Sequence, residues 1–260
     1  MMETSYIGSE LEIFAQAINW KRYYGGRIEP FFGQTVLEVG AGLGETTIHL
    51  AATPRRKWLC LEPDPAFCRI IEEKIFRGEL PEFCSVHNGT TGSLAEGDSR
   101  FDTILYIDVL EHLEDDRAEL ARAAALLDER GFIIVVAPAH AFLFSPFDSR
   151  IGHYRRYNRK MIRSACPAGL TLERLEYLDS VGMLLSLANR WLMRNPTPSL
   201  RQIVFWDRAV IPLSRLLDSV FYYRLGKSVL AVLGKQNNPA VESAGALPHQ
   251  RCSGRVNSSG

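Results

Sequence analysis

The stretch Val36-Leu37-Glu38-Val39-Gly40-Ala41-Gly42-Leu43-Gly44-Glu45-Thr46-Thr47 decides the fold. A short apolar strand runs into three closely spaced glycines and then into the first turn of a helix. A turn of this kind brings a ligand close to the main chain. In an open α/β sheet, a nucleotide-type cofactor lies across the strand ends at such a turn. The glycines follow the spacing GxGxG. A dinucleotide fingerprint wants GxGxxG, with a small residue at position 45. Glu45 stands there instead, and an acid at a helix N-terminus works against a pyrophosphate that the helix would otherwise attract.

Outward from this stretch, strand and helix signals alternate. Strands are expected at Thr35–Val39, Trp58–Leu61, Phe83–Val86, Phe101–Ile107 and Phe132–Ala137. The helices between them are expected at 46–52, 66–76 and 116–127, with Leu120, Ala123, Ala124 and Leu127 on one face of the last. Such alternation favours a parallel sheet covered by helices on both faces. An amphipathic helix is expected over 9–24, carried by Leu11, Phe14, Ala15 and Ile18 and broken by Gly25 and Gly26. After Pro138 the segment 139–157 has no clean period and is rich in Phe, Tyr and Arg. Further elements are expected as a helix over 158–165, a strand over 171–178, helices over 181–192 and 203–221 with a bend near Pro212, and a returning strand over 228–233. The organisation is read as one domain over 1–234, comprising an N-terminal helix (9–30), a cofactor-binding core (31–140) and a substrate loop with helical lid (139–225). A tail over 235–260, rich in Asn, Ser, Gly and Pro, is expected to be disordered.

The 30 acidic and 30 basic residues cancel, which argues against a general nucleic-acid binder. The five cysteines form no CxxC pair and no histidine cluster shows metal-ligand spacing, so reduced thiols and no metal site are expected. Met1–Glu10 lacks a signal-peptide pattern, and no apolar run reaches the ~18 residues of a membrane span. The expected location is cytoplasmic, with peripheral contact at the inner membrane face as a variant.

Downstream, Trp58-Leu59-Cys60-Leu61-Glu62-Pro63-Asp64 ends its strand on an acid. A carboxylate there accepts two hydrogen bonds from a ribose diol. With Glu45 excluding a pyrophosphate, the ligand is read as an adenosyl sulfonium without phosphate, and Glu38 as attracting its ammonium group directly or through water. These blocks, together with Phe101-Asp102-Thr103-Ile104-Leu105-Tyr106-Ile107-Asp108-Val109-Leu110-Glu111-His112-Leu113, resemble the class I S-adenosylmethionine-dependent methyltransferases, in particular the ubiquinone-type subgroup. The resemblance covers roughly residues 20–140. It implies a Rossmann-like α/β fold: a mostly parallel seven-stranded sheet, helices on both faces and a helical insertion near the C-terminus. It also implies a cofactor, S-adenosyl-L-methionine, held by Gly40, Ala41, Gly42 and Gly44, by Glu62 and Pro63, and by Asp108 and Val109. The family's usual acid near the adenine is missing from Val86-His87-Asn88-Gly89-Thr90, where Asn88 or Thr90, with Gly89, takes its place.

Methyl transfer requires an acceptor in line with the leaving sulfur, and an alcohol or phenol acceptor must also lose a proton. Asp148-Ser149-Arg150-Ile151-Gly152-His153-Tyr154-Arg155-Arg156-Tyr157 resembles a block found in methyltransferases of glycan and lipid-linked sugar pathways. His153 is the candidate base and Asp148 its orienting partner, against a purely structural polar knot. Arg155, Arg156 and Tyr157 are candidate acceptor contacts, against ion pairing with neighbouring acids. His112 stands as a substrate contact or a packed helix start, and Tyr24 as a cover for the cofactor or a core residue. The aromatic- and arginine-rich region 181–221 is a lid or a basic amphipathic face for an anionic membrane. The expected activity is O-methylation of a small-molecule or sugar- or lipid-linked acceptor. The alternative is a non-catalytic S-adenosylmethionine-binding protein on the same fold.

Overall fold

A computed structural model describes residues 13–94, 100–192, 199–235 and 250–251. Its strands are β1 (Thr35–Val39), β2 (Lys57–Glu62), β3 (Cys84–Asn88), β4 (Phe101–Ile107), β5 (Leu127–Pro138), β6 (Leu170–Leu178), β7 (Ser228–Lys235) and β8 (Gln250–Arg251). They form one sheet in the order β3-β2-β1-β4-β5-β7-β6-β8. The pairs among β1 to β5 are parallel. β7 inserts antiparallel between β5 and β6, so β6 runs in the direction of β5.

Every residue of β1 is buried, so Val36, Leu37 and Val39 are apolar on both sides of the strand instead of alternating with exposed polar residues. The period of two still governs its sides. Val36, Leu105, Ile134 and Val136 enter the core on one face, with Tyr24, Leu50 and Ile71. Leu37, Ile104, Tyr106, Ile133 and Val135 enter the core on the other, with Leu120, Ala123 and Ile162. The helices α1 (Ile18–Ile28), α2 (Glu45–Leu50) and α3 (Pro65–Phe76) cover the first face, and α4 (Asp116–Leu126) and α6 (Arg159–Ala165) the second. The short α5 (Pro146–Arg150) lies in the loop after β5. The strand order runs outward from β1 to β3 and then resumes on the other side of β1 with β4. This reversal opens a crevice at the carboxyl ends of β1 and β4, where ligands of open α/β sheets bind.

The structure departs from the sequence reading in three elements. Residues 13–15 are already helical, the chain breaks at Gln16 and Ala17, and α1 then starts at Ile18 and runs through Gly25 and Gly26 to Ile28, so the break expected at the glycines falls before them. Trp20, Tyr23, Tyr24 and Ile28 are buried along it, and this burial outweighs a cost of ~1 kcal/mol per helical glycine. The part of that prediction before residue 13 lies outside the described residues. The segment between β6 and β7 is α7 (Ser180–Leu192), α8 (Leu200–Phe205), a π-helical turn (Trp206–Val210) and α9 (Ile211–Val220). The irregularity expected at Pro212 therefore falls one turn earlier, where the π turn leaves the proline at the start of α9. Within the expected disordered tail, Gln250 and Arg251 pair with Leu172 and Thr171 as an eighth, edge strand, the rest of 236–260 lying outside the described residues. Cys60, Cys68 and Cys84 are free and buried as expected, whereas Cys166 is disulfide-bonded.

The helical insertion is tied to the cofactor-side core by two buried acids. Asp207 of the π turn accepts hydrogen bonds from the N–H groups of Asn19 and Trp20, capping α1. Asp218 of α9 accepts from the Tyr23 hydroxyl and from the N–H groups of Asp179 and Ser180. Among the described residues no helix is long and apolar enough to cross a membrane.

Candidate active site

The glycine turn joins β1 to α2. Gly40, Gly42 and Gly44 all have positive φ, at 67°, 56° and 75°. At Gly40 the need is double, because a Cβ would also lie 2.7 Å from Cγ2 of Val109. Val109, at the end of β4, thus packs against the turn. The N–H groups of Gly40 and Ala41 donate to the carbonyl of Leu61, binding the turn to the end of β2.

Glu62 stands on that strand end, buried, with its carboxylate against the turn. Oε2 accepts from the N–H of Gly42 at 2.8 Å and Oε1 from the N–H of Asp64 at 3.0 Å. Burial raises its pKa above the ordinary carboxylate value, against the pull of these two N–H groups. Asp64 caps α3 by accepting from Ala66, and Pro63 supplies a carbonyl to the Asn88 amide. Asn88 donates through Nδ2 to the carbonyls of both Glu62 and Pro63, and Gly89 donates its N–H to Glu62. The end of β3 is therefore clamped onto the end of β2. Asn88 and Thr90 are exposed, but the Thr90 hydroxyl is engaged by the Ser93 N–H in a capping box. Glu45 pairs with Lys74, whose ammonium also reaches the Leu43 carbonyl at 2.7 Å, so the acid at the helix start is neutralised in place.

Glu38 is placed differently from the sequence expectation. It is buried behind the turn, accepting from the Thr47 hydroxyl at 2.7 Å and the Trp58 indole at 2.8 Å, and it braces β1 against α2 and β2. Burial pushes its pKa up to about 7, partly offset by those two hydrogen bonds. Tyr24 is likewise a core residue. It is buried edge-on against Trp20, with its hydroxyl bonded to Thr46, and burial raises its pKa far above that of a free phenol.

At the end of β4, Asp108 adopts φ 54°, a left-handed conformation rarely held without a reason. Its N–H is anchored to Val136 on β5. The side chain is open to solvent although protein surrounds it, the situation of a group on a cleft wall. Its pKa is raised to about 6 by this enclosure, moderated by the charges of His153, Lys227, Lys21 and Arg156. Lys227, immediately before β7, lies in the same enclosure with its ammonium 4.5 Å from the Trp206 ring centre, and burial lowers its pKa. The sequence reading missed Lys227. It follows Gly226 immediately before a strand that returns from the helical insertion, and only the antiparallel placement of that strand beside β5 brings it to the cleft.

The Asp148–His153 pairing predicted from sequence is present: Nδ1 of His153 lies 3.0 Å from Asp148. Asp148 is fully buried and also accepts from the Ser145 N–H and hydroxyl, and from Nε and Nη2 of Arg156. Burial alone would raise its pKa, but the hydrogen bonds from His153 and Arg156 hold it well below the ordinary value. His153 turns Nε2 toward Glu111, at 3.8 Å, and its ring meets the His112 ring edge-on at 4.6 Å. His112 is exposed although its ring packs on that of His153, and its pKa is lowered to about 4 by desolvation and by His153.

Of the two readings of Arg155 and Arg156, acceptor contact or ion pairing with neighbouring acids, the structure shows the ion pairs, and Tyr157 is drawn into the same network. Arg156 is spent on Asp148. Arg155 pairs with Asp116 at 3.0 Å and donates to the Glu114 carbonyl. Tyr157 is fully buried, its hydroxyl donating to Asp116 and the Leu110 carbonyl. The block locks the post-β5 loop onto the start of α4, because acids unseen in the local sequence take up its donors.

Residues 37–133 match the family profile described as a methyltransferase domain. The chain has the class I methyltransferase fold. A ubiquinone biosynthesis O-methyltransferase of Azorhizobium caulinodans is 30% identical over 108 residues, which are 42% of this chain and 42% of that protein. The methyltransferase-like match thus spans less than half the length of that curated relative. A crystal structure of coclaurine N-methyltransferase, bound to N-methylheliamine and S-adenosylhomocysteine, superposes with a TM-score of 0.57 at 16% identity, covering 84% of this chain and 72% of that one. Geranyl diphosphate C-methyltransferase from Streptomyces coelicolor A3(2) gives a TM-score of 0.59 at 8% identity, covering 82% and 76%.

Proposed function

We propose that this methyltransferase-fold chain is an S-adenosylmethionine-dependent methyltransferase acting on an oxygen of a small-molecule or sugar- or lipid-linked acceptor. The observation that carries the reading is the carboxylate of Glu62 seated on the N–H of Gly42. It puts an acid that suits a ribose diol beside a turn open to close ligand approach. The residues present fit the cofactor. Gly40 to Gly44 would cradle its methionine portion, Glu62 its ribose and the Asn88–Thr90 segment its adenine side. The bound cofactor supplies an electrophilic methyl carbon.

The chain's own residues do the rest. Asp108 and Lys227 line the cleft next to the glycine turn and orient the acceptor. Activation of the acceptor runs through His153, whose Nδ1 is fixed by Asp148 so that Nε2 faces the cleft pole formed with Glu111 and His112. An Asp–His pair of this kind fixes the tautomer and the orientation of the ring.

The finer proposal on location rests on the outer surface of α8 and α9. Leu200, Phe205, Leu213, Leu216 and Val220 are exposed there, beside exposed Arg201, Arg208 and Arg215. The only acids of residues 200–220, Asp207 and Asp218, are buried. A surface of apolar and cationic groups without exposed acids complements an anionic bilayer. Docked there, the protein meets a lipid-linked acceptor at the membrane surface.

Isothermal titration of the full chain with S-adenosylmethionine, S-adenosylhomocysteine and NAD tests the core of the proposal. Binding of the first two and not of NAD is expected, followed by acceptor-dependent release of S-adenosylhomocysteine. Binding of NAD alone overturns it.

A further inference from the structure

Glu111 is fully buried, and neither oxygen of its carboxylate has a hydrogen-bond partner outside its own residue. Buried carboxylates are otherwise paired, hydrogen-bonded or bound to metal. The nearest candidate partner is Nε2 of His153, at 3.8 Å, which is beyond hydrogen-bonding distance. Two ligand atoms held tetrahedrally by one ion at ~2.0–2.2 Å stand ~3.3–3.6 Å apart, so a shift of a few tenths of an ångström lets an ion bridge the pair. His112, next to Glu111 on the 3-10 turn Leu110–His112, brings a second imidazole. One ligand atom of each of the three side chains lies within 4.8 Å of the others.

The surroundings favour the same reading. Asp148 accepts from Nδ1 of His153, leaving the Nε2 lone pair free and turned toward Glu111. A carboxylate behind an imidazole in this way is the usual support of a metal-binding histidine. His112 is exposed, so the cluster is closed on the Glu111 side and open on the other. The sequence predicted no metal because His153 lies in a different loop from Glu111 and His112, and no local spacing announces the group.

We propose that Glu111, His112 and His153 bind one first-row divalent transition-metal ion with an open position facing the cleft. Two imidazoles and one carboxylate suit Zn²⁺, Fe²⁺ or Mn²⁺, whereas Mg²⁺ and Ca²⁺ prefer all-oxygen sets. This deepens the function proposed above and rests on that reading of the cleft as the acceptor site. The acceptor hydroxyl coordinates at the open position and releases its proton to water. Its oxygen lone pair then forms the bond to the methyl carbon while the C–S bond breaks, the pair remaining on sulfur. The products are the methyl ether and S-adenosylhomocysteine, and the ion keeps its oxidation state. His153 serves as a ligand in this scheme, and Asp148 is a positioning residue.

The test is titration of the full chain, stripped with EDTA, with Co²⁺, followed by visible absorption. One Co²⁺ per chain, displaced by Zn²⁺, is expected. Glu111→Gln and His153→Ala should each weaken Co²⁺ binding at least tenfold, and Asp148→Asn about 10- to 100-fold, the usual effect of losing such a supporting group. His112→Asn changes an exposed side chain and keeps the test open should the buried variants fail to fold; it too should weaken binding at least tenfold. Wild-type protein that binds no Co²⁺, or His112→Asn protein that binds it unchanged, overturns the proposal. The two readings fail separately. Full acceptor turnover in EDTA removes the metal and leaves the methyltransferase, whereas metal binding that follows the three residues in a protein unable to bind S-adenosylmethionine leaves the site and removes the methyltransferase.

Discussion

Replacing Glu62 by alanine probes the contact on which the functional reading turns. In the folded protein its two oxygens satisfy the N–H groups of Gly42 and Asp64. Removing them leaves two main-chain donors at the turn to find water, at ~1–3 kcal/mol each if none reaches them. The same truncation removes the acceptor for a ribose diol. Hydrogen bonds to a charged group contribute ~1.5–3 kcal/mol, so S-adenosylmethionine affinity should fall by roughly 10- to 150-fold, each ~1.4 kcal/mol being tenfold. Titration calorimetry with S-adenosylmethionine and with S-adenosylhomocysteine measures this, and thermal melts of the ligand-free variant separate it from loss of fold. Glu62→Gln refines the result. Its amide nitrogen must face one of the two N–H donors, so it should lose affinity as well, although it fills the same volume. A folded Glu62→Ala protein that binds S-adenosylmethionine as the wild type does would refute the assignment of Glu62 to the sugar, and with it the argument for this cofactor.

The remaining predictions concern other parts of the site. Gly40→Ala places a methyl group on a residue at φ 67° and 2.7 Å from Val109, so it should destabilise the fold by ~1–3 kcal/mol in urea melts and weaken cofactor binding more than Gly78→Ala, whose added Cβ meets nothing within 4 Å. The pKa of Glu38 rises from 4.5 in the unfolded chain to about 7 when folded, so the folded state holds the extra proton between those values and stability declines as pH climbs through that window. Glu38→Gln should abolish the decline and gain about 3 kcal/mol over the wild type at pH 8, read by melts from pH 5 to 8. Asp148 shifts the opposite way. Its contribution is present above the unfolded pKa and fades only as pH falls through the lowered folded value, so Asp148→Asn should destabilise the protein by roughly 3–5 kcal/mol at neutral pH, leaving Arg156 as a buried charge without its partner. Arg208→Glu with Arg215→Glu should abolish co-sedimentation with phosphatidylglycerol vesicles while leaving cofactor affinity unchanged; equal binding of wild type and variant would remove the membrane contact.

The strand–glycine–helix stretch, the acid ending β2 and the apolar β4 and β5 are local patterns. Backbone conformational need and burial on both faces of a parallel strand impose them on nearby residues, and they were legible from the sequence, except that β5 begins at Leu127, five residues before the expected Phe132. The Asp148–His153 pair was legible for the same reason, since both residues lie within one short loop. The roles of Arg155, Arg156, Tyr157 and Glu38 were not. Each is a strong donor or acceptor whose partner comes from a distant segment, and only packing selects between a ligand and Asp116, Asp148, Thr47 or Trp58. The same holds for Lys227, carried to the cleft by an antiparallel strand, and for Glu111 facing His153. Sequence thus determined the sheet and the turn that receives a cofactor, because those depend on what a few consecutive residues can adopt. Tertiary structure alone decided which charges are already paired and which remain open to a ligand, because a charge in a low-dielectric interior is settled by whatever the fold brings within a few ångströms of it.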